Sequence, residues 1–570
     1  MCGIAGIYSF NGEVTQERID CFTDTLAHRG PDGRGTYLDG NLALGHRRLA
    51  ILDLSDAGRC PMEYVAPDGT RYLITYNGEV YNFVELKREL EGLGHRFRTA
   101  TDTEVVVAAY AQWGEKALLK FNGMWAFAIW NCRERTLYLC RDRFGIKPLY
   151  YAGYRNSVAF ASELKSFLAL EGFTPALDHE LAPILLSNSY AYEGSTDRTV
   201  MAGVRRLPGG CSLTVTGTGQ ASVSRWWETR DHLPEVPKSY EEQVERFREI
   251  LLDAVAIRMR SDVPVGSCLS GGVDSTAIAS IMAHLHRGRT NHLERCPADW
   301  QRAFVATFPG TAIDERSFAE VAVRHTGAKP LYTVFDQEEA VRLVAKSVWC
   351  MEDIYGGVAV PVLSLYQKMR ESGVYVSLDG HGGDELLCGY TWYLDWPMQN
   401  VNENLYRDFH NTLLPAILRN YDRCSMAHGI EVRMPLMDWR LVTFSFALEA
   451  SAKIGGGFTK RILRDSMQGI MPVAIRTRTS KIGFNSPMID WFNGGMRPLI
   501  EKVVRHPLWV ESPYFEGAKL QENILARCRH QAWGKEHWGE TLHIWTQMNL
   551  VLWQMLFVER TPVEELGVNL

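Results

Sequence analysis

The segment CLSGGVDSTAIASIMAHL, residues 268–285, indicates the fold of the second half of this chain. A short apolar run opens it, two glycines follow, and an apolar pattern of helical period comes next. A strand that turns directly into a helix is typical of a parallel sheet with crossover helices. Short apolar runs at 303–308 and 374–378 repeat this arrangement, and residues beyond 400 have mostly helical character. We therefore predict an α/β domain with a helical C-terminal part.

The turn itself, SGGVDS at 270–275, has the chemistry of a phosphate-binding loop. Gly271 and Gly272 let backbone N–H groups approach an anion, and the helix N-terminus adds partial positive charge at the same point. The hydroxyls of Ser270 and Ser275 can donate to phosphate oxygens. Asp274 would be repelled by phosphate unless a cation lies between them, which predicts Mg²⁺. The alternative is a purely structural turn capped by Ser and Asp.

The pattern of this loop also bears on the reaction. It resembles the loop of the ATP pyrophosphatases, which cleave ATP to AMP and pyrophosphate. The loop lacks the pattern G-x-x-x-x-G-K-S/T of the P-loop, which disfavours a reaction that transfers the γ-phosphoryl group of ATP.

The first half of the chain is organised differently, with many short β-type runs separated by Gly, Asp and Asn turn signals. Examples are CGIAGIYSF at 2–10, YLITYNGEVYNF at 72–83 and MWAFAIWN at 124–131. This half is predicted to be α+β with antiparallel sheets, and the turn-rich stretch at 207–240 places a domain boundary near 225–240. Helical patterns occur at about 15–28, 82–93, 103–120 and, beyond the boundary, 241–260.

Composition excludes several classes of protein. The 570 residues include 46% hydrophobic and 22% charged residues, which is an ordinary globular mixture, and the net charge of -6 disfavours a nucleic-acid binder acting through bulk charge. No apolar run is long enough to span a bilayer, and the first residues do not form a signal peptide. The twelve cysteines contain no C-x-x-C pair, which favours a reduced, cytoplasmic protein. Small-molecule partners are expected, with no nucleic acid and no membrane.

A cysteine follows the initiator methionine. If Met1 is removed, Cys2 carries both a thiol and a free α-amine with a pKa of about 7.7–8. The amine can accept the thiol proton, so that one residue supplies nucleophile and base. Considered alone, a cysteine at this position is more often incidental, and the functional interpretation depends on the motifs that follow it.

These motifs occur in a definite order. LAHRGPDGRG at 26–35, LGHRRLAILDL at 44–54, YNGEVYNF at 76–83 and TATDTEVV at 99–106 precede SGGVDS and LDGHGGDELLCGY at 378–390. The chain thereby resembles the glutamine-dependent asparagine synthetase family from residue 2 to about 495. The resemblance implies an N-terminal-nucleophile glutaminase domain of αββα type at 2–220. An ATP-pyrophosphatase-type synthetase domain would follow at 240–550. The last ~70 residues match weakly and indicate only helical packing.

The resemblance implies roles for the glutaminase residues, in which the Cys2 thiol attacks the side-chain amide of glutamine. Asn77 and Gly78 match the oxyanion-hole pair, which would supply a side-chain and a backbone N–H. Glu79 and Asp102 match the residues that hold the α-amino group of glutamine. Arg48 matches the residue that binds its α-carboxylate, where a planar guanidinium suits the planar anion.

The resemblance also implies a second site for ATP and Mg²⁺. Asp384 matches a Mg²⁺ ligand and would be the partner of Asp274. Lys481 matches a lysine that meets phosphate oxygens during adenylation. The whole ATP site inferred in this way comprises Leu269, Ser270, Gly271, Gly272, Asp274, Ser275, Asp379, Gly380 and Lys481.

One position departs from the family. Asparagine synthetases carry glutamate where this chain has His381, at the place where acceptor acid and ammonia should meet. Histidine can also accept a proton near neutral pH, so it is a candidate catalytic base. The segment MEDIYGGVAVP at 351–361, expected in the same pocket, also differs. We therefore expect an acceptor other than aspartate, such as the carboxylate of a secondary metabolite or of a cell-surface sugar.

Several alternatives stay open at this stage. The chain could be asparagine synthetase itself, an enzyme that closes an amide ring within its substrate, or an inactive regulator that binds glutamine or nucleotide. Family members are often homodimers, so the resemblance allows a homodimer here. Within the helical segment expected at 413–442, we predict structural buried ion pairs formed by Asp422, Arg423, Glu431 and Arg433.

Overall fold

The computed structural model describes residues 1–288, 294–311, 313–335, 337–482 and 486–566. Two six-stranded antiparallel sheets form the N-terminal half, in the orders β10-β8-β9-β1-β3-β2 and β12-β11-β7-β6-β5-β4. The strands are β1 Gly3–Ser9, β2 Gly33–Asp39, β3 Leu42–Arg48, β4 Met62–Val65, β5 Arg71–Val80, β6 Gly123–Asn131, β7 Thr136–Arg141, β8 Tyr150–Tyr154, β9 Ser157–Ala161, β10 Arg205–Arg206, β11 Cys211–Val215 and β12 Ala221–Arg225.

The two sheets pack face to face with helices outside them, so this half has four layers in the order αββα. Alternation along each strand makes this possible, because successive side chains point to opposite faces. In β6, Ala128 joins the core between the sheets, whereas Phe127 joins the core beneath the helices. The helices of this half are α1 Gln16–Asp24, α2 Phe83–Gly92, α3 Asp102–Trp113, α4 Ala117–Lys120 and α5 Ala182–Ser187.

The C-terminal half contains a parallel five-stranded sheet in the order β15-β14-β13-β16-β17. The turn from β13 into α7 is the SGGVDS segment, as the apolar pattern predicts. The strands are β13 Val265–Cys268, β14 Arg302–Thr307, β15 Lys329–Val334, β16 Val376–Leu378 and β17 Glu431–Arg433.

Helices make up most of the rest of this half. The first of them, α6, begins after Ser239, whose side chain caps the helix by accepting a hydrogen bond from the Glu242 N–H. The helices up to β17 are α6 Tyr240–Arg258, α7 Val273–Arg287, α8 Arg316–Thr326, α9 Gln337–Arg342, α10 Val344–Met351, α11 Val360–Glu371, α12 Gly383–Leu387, α13 Val401–His410 and α14 Leu413–Met426. After β17 come α15 Trp439–Ala447, α16 Ala450–Lys453, α17 Arg461–Ser466, α18 Val473–Arg476, α19 Met488–Asn493, α20 Arg497–Val504, α21 Pro507–Val510, α22 Gly517–His530, α23 Trp538–Trp553 and α24 Val563–Leu566.

The expectation of a helical segment throughout 413–442 was wrong at β17. Helix α14 ends before Gly429, whose φ of +61° suits glycine, and the chain then forms a strand beside β16. The sequence could not indicate this strand, because an alternation of apolar and polar residues can be recognised only over four or more residues, and β17 has three.

The four charged residues predicted to form buried pairs do so, and one of these pairs connects the two halves of the chain. Arg29, which follows α1, donates to both carboxylate oxygens of Asp422 at 2.9 and 3.1 Å. Arg423 donates to Glu352 at 2.9 Å, and Arg433 donates to Glu431 at 2.6 Å. Since a buried charge needs a partner, the pair of Arg29 with Asp422 ties the N-terminal half to α14, whereas the other two pairs stabilise the C-terminal half.

In the described part of the chain, no helix has both the length and the apolarity needed to cross a bilayer. All twelve cysteines are free thiols.

Candidate active sites

The first candidate site surrounds the thiol of Cys2 at the start of β1. A small cavity of about 30 Å³ lies beside it, and Arg48, Gly78, Glu79 and Asp102 all line this cavity. The structure therefore brings together residues that are up to 100 positions apart in the sequence. They come from the residue before β1, the end of β3, β5 and the start of α3. These segments meet because β1 and β5 lie in facing sheets and α3 packs on the second sheet.

Asn77 adjoins this cavity and presents an unused donor. Its Oδ1 accepts from the backbone N–H of Cys2 at 3.0 Å, which orients the amide group. Its Nδ2 is buried and has no hydrogen-bond partner among the described residues. A Cβ on Gly78 would lie 2.3 Å from the Met124 carbonyl oxygen, so only glycine fits there. This arrangement suits an oxyanion hole, because a preorganised donor awaits a ligand oxygen.

Glu79 and Asp102 bring two buried carboxyl groups to the same cavity. Asp102 accepts from the Tyr76 hydroxyl at 2.8 Å and from the Val80 N–H at 2.9 Å, yet burial raises its pKa to about 6. Burial and the adjacent Asp102 charge raise the pKa of Glu79, whose Oε1 has no partner among the described residues. Two crowded acidic groups favour binding of a cation such as an α-ammonium.

Arg48 forms another wall of this cavity. Its guanidinium donates to the carbonyl oxygens of Asp53 and of Ser55, the latter at 2.7 Å. A Cβ on Gly58 would lie 2.2 Å from the Arg48 Nη2, so a larger residue there would displace the guanidinium. These contacts hold the group in place and leave other guanidinium donors for an anion.

The sequence did not reveal that the C-terminal half contributes to this site. Glu431, at the start of β17, lines the cavity and accepts from the Met1 ammonium at 2.9 Å. Burial opposes ionisation of Glu431, but the Met1 ammonium and Arg433 prevail and lower its pKa. With Met1 in place, the Cys2 nitrogen is a peptide N–H and the methionine side chain is buried beside it. A free Cys2 α-amine requires removal of Met1.

The second candidate site lies at the carboxyl end of the parallel sheet, around a cavity of about 590 Å³. The phosphate-loop residues form one end of it. Ser270 Oγ accepts from the Gly272 N–H at 3.1 Å and lies 3.1 Å from Ser275 Oγ. Gly271 does not line the cavity; it makes the turn with φ of +77°, and a Cβ there would lie 2.4 Å from the Ala319 N. The other predicted ATP-site residues line the cavity: Leu269, Ser270, Gly272, Asp274, Ser275, Asp379, Gly380 and Lys481.

The predicted magnesium ligands, Asp274 and Asp384, lie on either side of one ammonium group, that of Lys460. Lys460 Nζ contacts Asp274 Oδ2 and lies 2.5 Å from Asp384 Oδ1, which Lys481 also contacts. Burial opposes ionisation of Asp384, but the two lysines lower its pKa. Asp274 Oδ1 is buried and has no partner among the described residues. Sequence reasoning missed Lys460; its only local signal is a lysine between the Gly456-Gly457 turn and α17.

His381 lines the same cavity, together with the phosphate loop and the segment at 355–358. Its ring centroid is 3.5 Å from that of Tyr421, and its Nε2 is 3.5 Å from Asp379 Oδ2. Asp379 is itself fixed, since its carboxylate accepts from Ser377 at 2.6 Å and from Tyr366 at 2.8 Å. The imidazole is therefore held beside an anchored carboxylate and an aromatic ring.

The last 70 residues contribute to this cavity, which the sequence did not reveal. Trp538 and Leu542 of α23 line it, and Trp545 on the same helix donates to the carbonyl oxygens of Tyr355 and Gly357 at 3.1 and 3.0 Å. Helix α23 thus helps to hold the segment that faces His381.

Comparison with known proteins finds one family match in each half of the chain. Residues 1–227 match the family described as glutamine amidotransferase domain. Residues 246–401 and 397–554 match the family described as asparagine synthase.

Relatives cover the whole chain. It is 26% identical to asparagine synthetase (glutamine-hydrolyzing) 1 of Bacillus subtilis, over 99% of this chain and 98% of that protein. It is 32% identical to putative asparagine synthetase (glutamine-hydrolyzing) 2 of Methanocaldococcus jannaschii, over 69% of this chain and 76% of that protein. It is also 31% identical to "Amidase chry2" of Gibberella zeae, over 96% of this chain and 77% of that protein.

These matches, with the two sites, define an ATP-dependent carbon–nitrogen ligase that takes nitrogen from glutamine. The chain belongs to the asparagine synthetase family. The predicted family, fold class and type of enzyme are thereby confirmed. The matches do not favour the ring-closing enzyme or the inactive regulator.

Proposed function

We propose that this protein converts a carboxylate other than that of aspartate into an amide, with nitrogen from glutamine at Cys2 and activation by ATP at the SGGVDS loop. The observation that carries this proposal is that the two sites lie at opposite ends of the same two strands. Glu431 opens β17 at the first site, whereas Asp379 follows β16 at the second. Strands of three residues span about 10 Å, and we infer that ammonia passes from the first site to the second along these strands.

At the first site, the Cys2 α-amine takes the thiol proton after Met1 is removed, and the thiolate attacks the side-chain amide carbon of glutamine. Asn77 Nδ2 and the Gly78 N–H stabilise the tetrahedral oxygen. Glu79 and Asp102 hold the α-ammonium. Arg48 holds the α-carboxylate of the substrate. Ammonia leaves, and water then releases glutamate from the thioester.

At the second site, a substrate carboxylate attacks the α-phosphorus of ATP and pyrophosphate leaves. This step is needed because hydroxide is a poor leaving group, whereas AMP is a good one. The backbone N–H groups of the 270–275 loop receive phosphate oxygens. Lys460 and Lys481 neutralise the charge that develops on pyrophosphate.

The residues present fit Mg²⁺. Asp274 Oδ1 is a buried oxygen with no partner among the residues that the structure describes, and Asp384 lies close by on the other side of Lys460. Mg²⁺ is often bound by one or two carboxylates together with substrate phosphates, so a cluster of three protein ligands is not required. Among the described residues, no cluster of three exists. When bound, the ion would be held by Asp274 and Asp384 and would neutralise phosphate charge.

His381 acts next. Its imidazole takes a proton from ammonia as the nitrogen attacks the acyl-adenylate, and AMP leaves. Asp379 orients the ring. The family carries glutamate where this chain has His381, and the His381 ring lies tilted against Tyr421. The surroundings of the acyl group therefore differ from those that an aspartate acceptor needs.

The experiment that tests this proposal compares acceptors. The enzyme is incubated with glutamine, Mg–ATP and either aspartate or a panel of other carboxylic acids, and asparagine, glutamate and pyrophosphate are measured. Aspartate is expected to yield no asparagine, whereas at least one other acid releases pyrophosphate. Asparagine formed at the rate of glutamate production would contradict the proposed acceptor.

The raised pKa of Asp102 makes glutamine binding depend on pH. The ionised carboxylates of Asp102 and Glu79 attract the α-ammonium, so affinity is full well above pH 6 and falls as the pH drops through about 6, where Asp102 gains a proton. The raised pKa of Glu79 acts in the same direction. Calorimetry with Cys2→Ala, which removes the thiol, should show the Kd approaching about a tenfold rise per pH unit below the pKa. Asp102→Asn should bind weakly with a flatter profile, and a flat profile with Asp102 intact would contradict the assignment.

A further inference from the structure

The large cavity has two ends of different character. The strand order places the end of β14 on one side of the phosphate loop and the end of β16, with His381, on the other. Beyond His381, the wall is built from Tyr190, Tyr355, Leu413, Ile417, Tyr421 and Leu542. The acyl group must lie near the phosphate loop and His381, so the rest of the acceptor extends toward this aromatic and aliphatic wall.

The cations of the cavity lie around the ATP-site carboxylates and the phosphate loop, and each has an acidic or carbonyl partner. Lys460 and Lys481 contact Asp384, and Arg478 contacts Glu315 and donates to the Gly271 carbonyl oxygen at 3.2 Å. Arg464 donates to two backbone carbonyl oxygens, those of Thr459 and Arg476, both at 2.7 Å. These four are the only lysine and arginine residues among the described residues of the cavity wall.

Polar groups at the far end are few and are engaged with one another. Asn420 Nδ2 donates to the Tyr355 hydroxyl at 3.2 Å, and Asn420 Oδ1 accepts from Cys424 at 3.4 Å. Aspartate would bring a second carboxylate and an ammonium to this end of the cavity. A charge that is taken from water without a partner is strongly disfavoured, so the wall selects against such a ligand.

The wall is also preformed. Asn549 and Trp545 of α23 both donate to the Tyr355 carbonyl oxygen, at 3.0 and 3.1 Å. The Tyr355 ring meets the Tyr190 ring edge to face, with centroids 5.5 Å apart. Aromatic rings held in this way offer faces and edges to another planar apolar group.

We propose that the acceptor is a monocarboxylic acid whose carboxyl group is attached to an aromatic or large aliphatic body without a second charge. This inference rests on the proposed function of the site and identifies the class of its substrate. The apolar body lies against Tyr190, Tyr355 and Tyr421, while the carboxyl group faces the phosphate loop and His381.

The test measures pyrophosphate release by the full-length enzyme with Mg–ATP and glutamine. One set of acceptors contains 3-phenylpropanoate, benzoate, indole-3-acetate and octanoate; the other contains aspartate, glutamate and glutarate. The best acid of the first set should exceed every acid of the second by about 100-fold in kcat/KM. A dicarboxylic acid that equals or exceeds the first set would overturn the acceptor class and leave adenylation intact. Release with neither set would contradict the proposed function itself, and the acceptor class with it.

A pair of variants locates the selectivity in the wall. Ile417→Lys places a cation at the apolar end and should reduce release with the best monocarboxylic acid by about tenfold or more while raising release with glutarate. Ile184→Lys adds the same cation at an exposed position of α5, outside the cavity, and should leave the ranking unchanged. Glutamine hydrolysis at Cys2 reports whether each variant is folded. If Ile417→Lys hydrolyses glutamine normally and keeps the original ranking of acceptors, the wall does not select the acceptor and the inference is wrong.

Discussion

Replacement of Cys2 by alanine is expected to reduce glutamine-dependent amide formation by about a thousandfold or more, while ammonia-dependent formation is retained within about twofold. The thiol is the only nucleophile assigned to the first site, and Asn77 and Asp102 can bind glutamine without attacking it. The second site lies at the other end of β16 and β17, so activation of the acceptor does not require the thiol. The measurement is glutamate and amide formation with glutamine or ammonium chloride as the nitrogen source.

A matched control exists for this variant. Cys21 is an exposed cysteine on α1, and Cys21→Ala should behave as the unmodified enzyme with either nitrogen source. If Cys2→Ala used glutamine normally, the nucleophile would be misassigned. If it lost activity with ammonia as well, Cys2 would serve the arrangement of the two halves rather than amide hydrolysis.

The second large effect is expected from Lys460→Met, which removes the ammonium between the two carboxylates of the ATP site. Acceptor-dependent pyrophosphate release should fall by about 100- to 1000-fold, because Asp274 and Asp384 would then repel each other and the phosphates. Glutamine hydrolysis should stay within about twofold, since Lys460 is not part of the first site. Release is measured in the presence of saturating glutamine and Mg–ATP.

Lys453 provides the control for Lys460. Its side chain is equally buried, but its Nζ donates to Asn402 Oδ1 at 2.6 Å, and it is not among the residues that line the cavity. Lys453→Met therefore measures the cost of removing a buried ammonium as such. Equal pyrophosphate release by the two variants would show that Lys460 is structural rather than part of the ATP site.

The sequence predicted those parts of the sites that lie within short motifs. SGGVDS could be placed between a strand and a helix because its glycines and serines, and the spacing of apolar residues on either side, determine structure locally. The structure has the turn from β13 into α7 there. Asp102 and Glu79 could be identified only as residues of motifs, because their burial in one cavity depends on how α3 packs against β5.

Other parts could not be predicted, because packing between distant segments decides them. Lys460 and Asp274 are 186 positions apart, and nothing in their local sequences indicates that they touch. Glu431 was expected in a structural ion pair, which it forms with Arg433. Its place in the Cys2 cavity depends on β17, a strand too short to show an alternation of apolar and polar residues in the sequence. Likewise, the sequence indicates a helical segment in the last ~70 residues, where α23 lies. The contact of α23 with the Tyr355 carbonyl oxygen, however, depends on the fold of the whole C-terminal half.

Transfer of nitrogen between the two sites is the central claim, and isotope tracing tests it most directly. The enzyme is incubated with glutamine labelled with ¹⁵N in the side-chain amide, Mg–ATP, the best acceptor of the screen and an excess of unlabelled ammonium ions. We expect the product amide to carry mainly ¹⁵N, with one AMP and one pyrophosphate formed per labelled amide. A product that carries mainly unlabelled nitrogen would contradict a direct internal route from Cys2 to the ATP site.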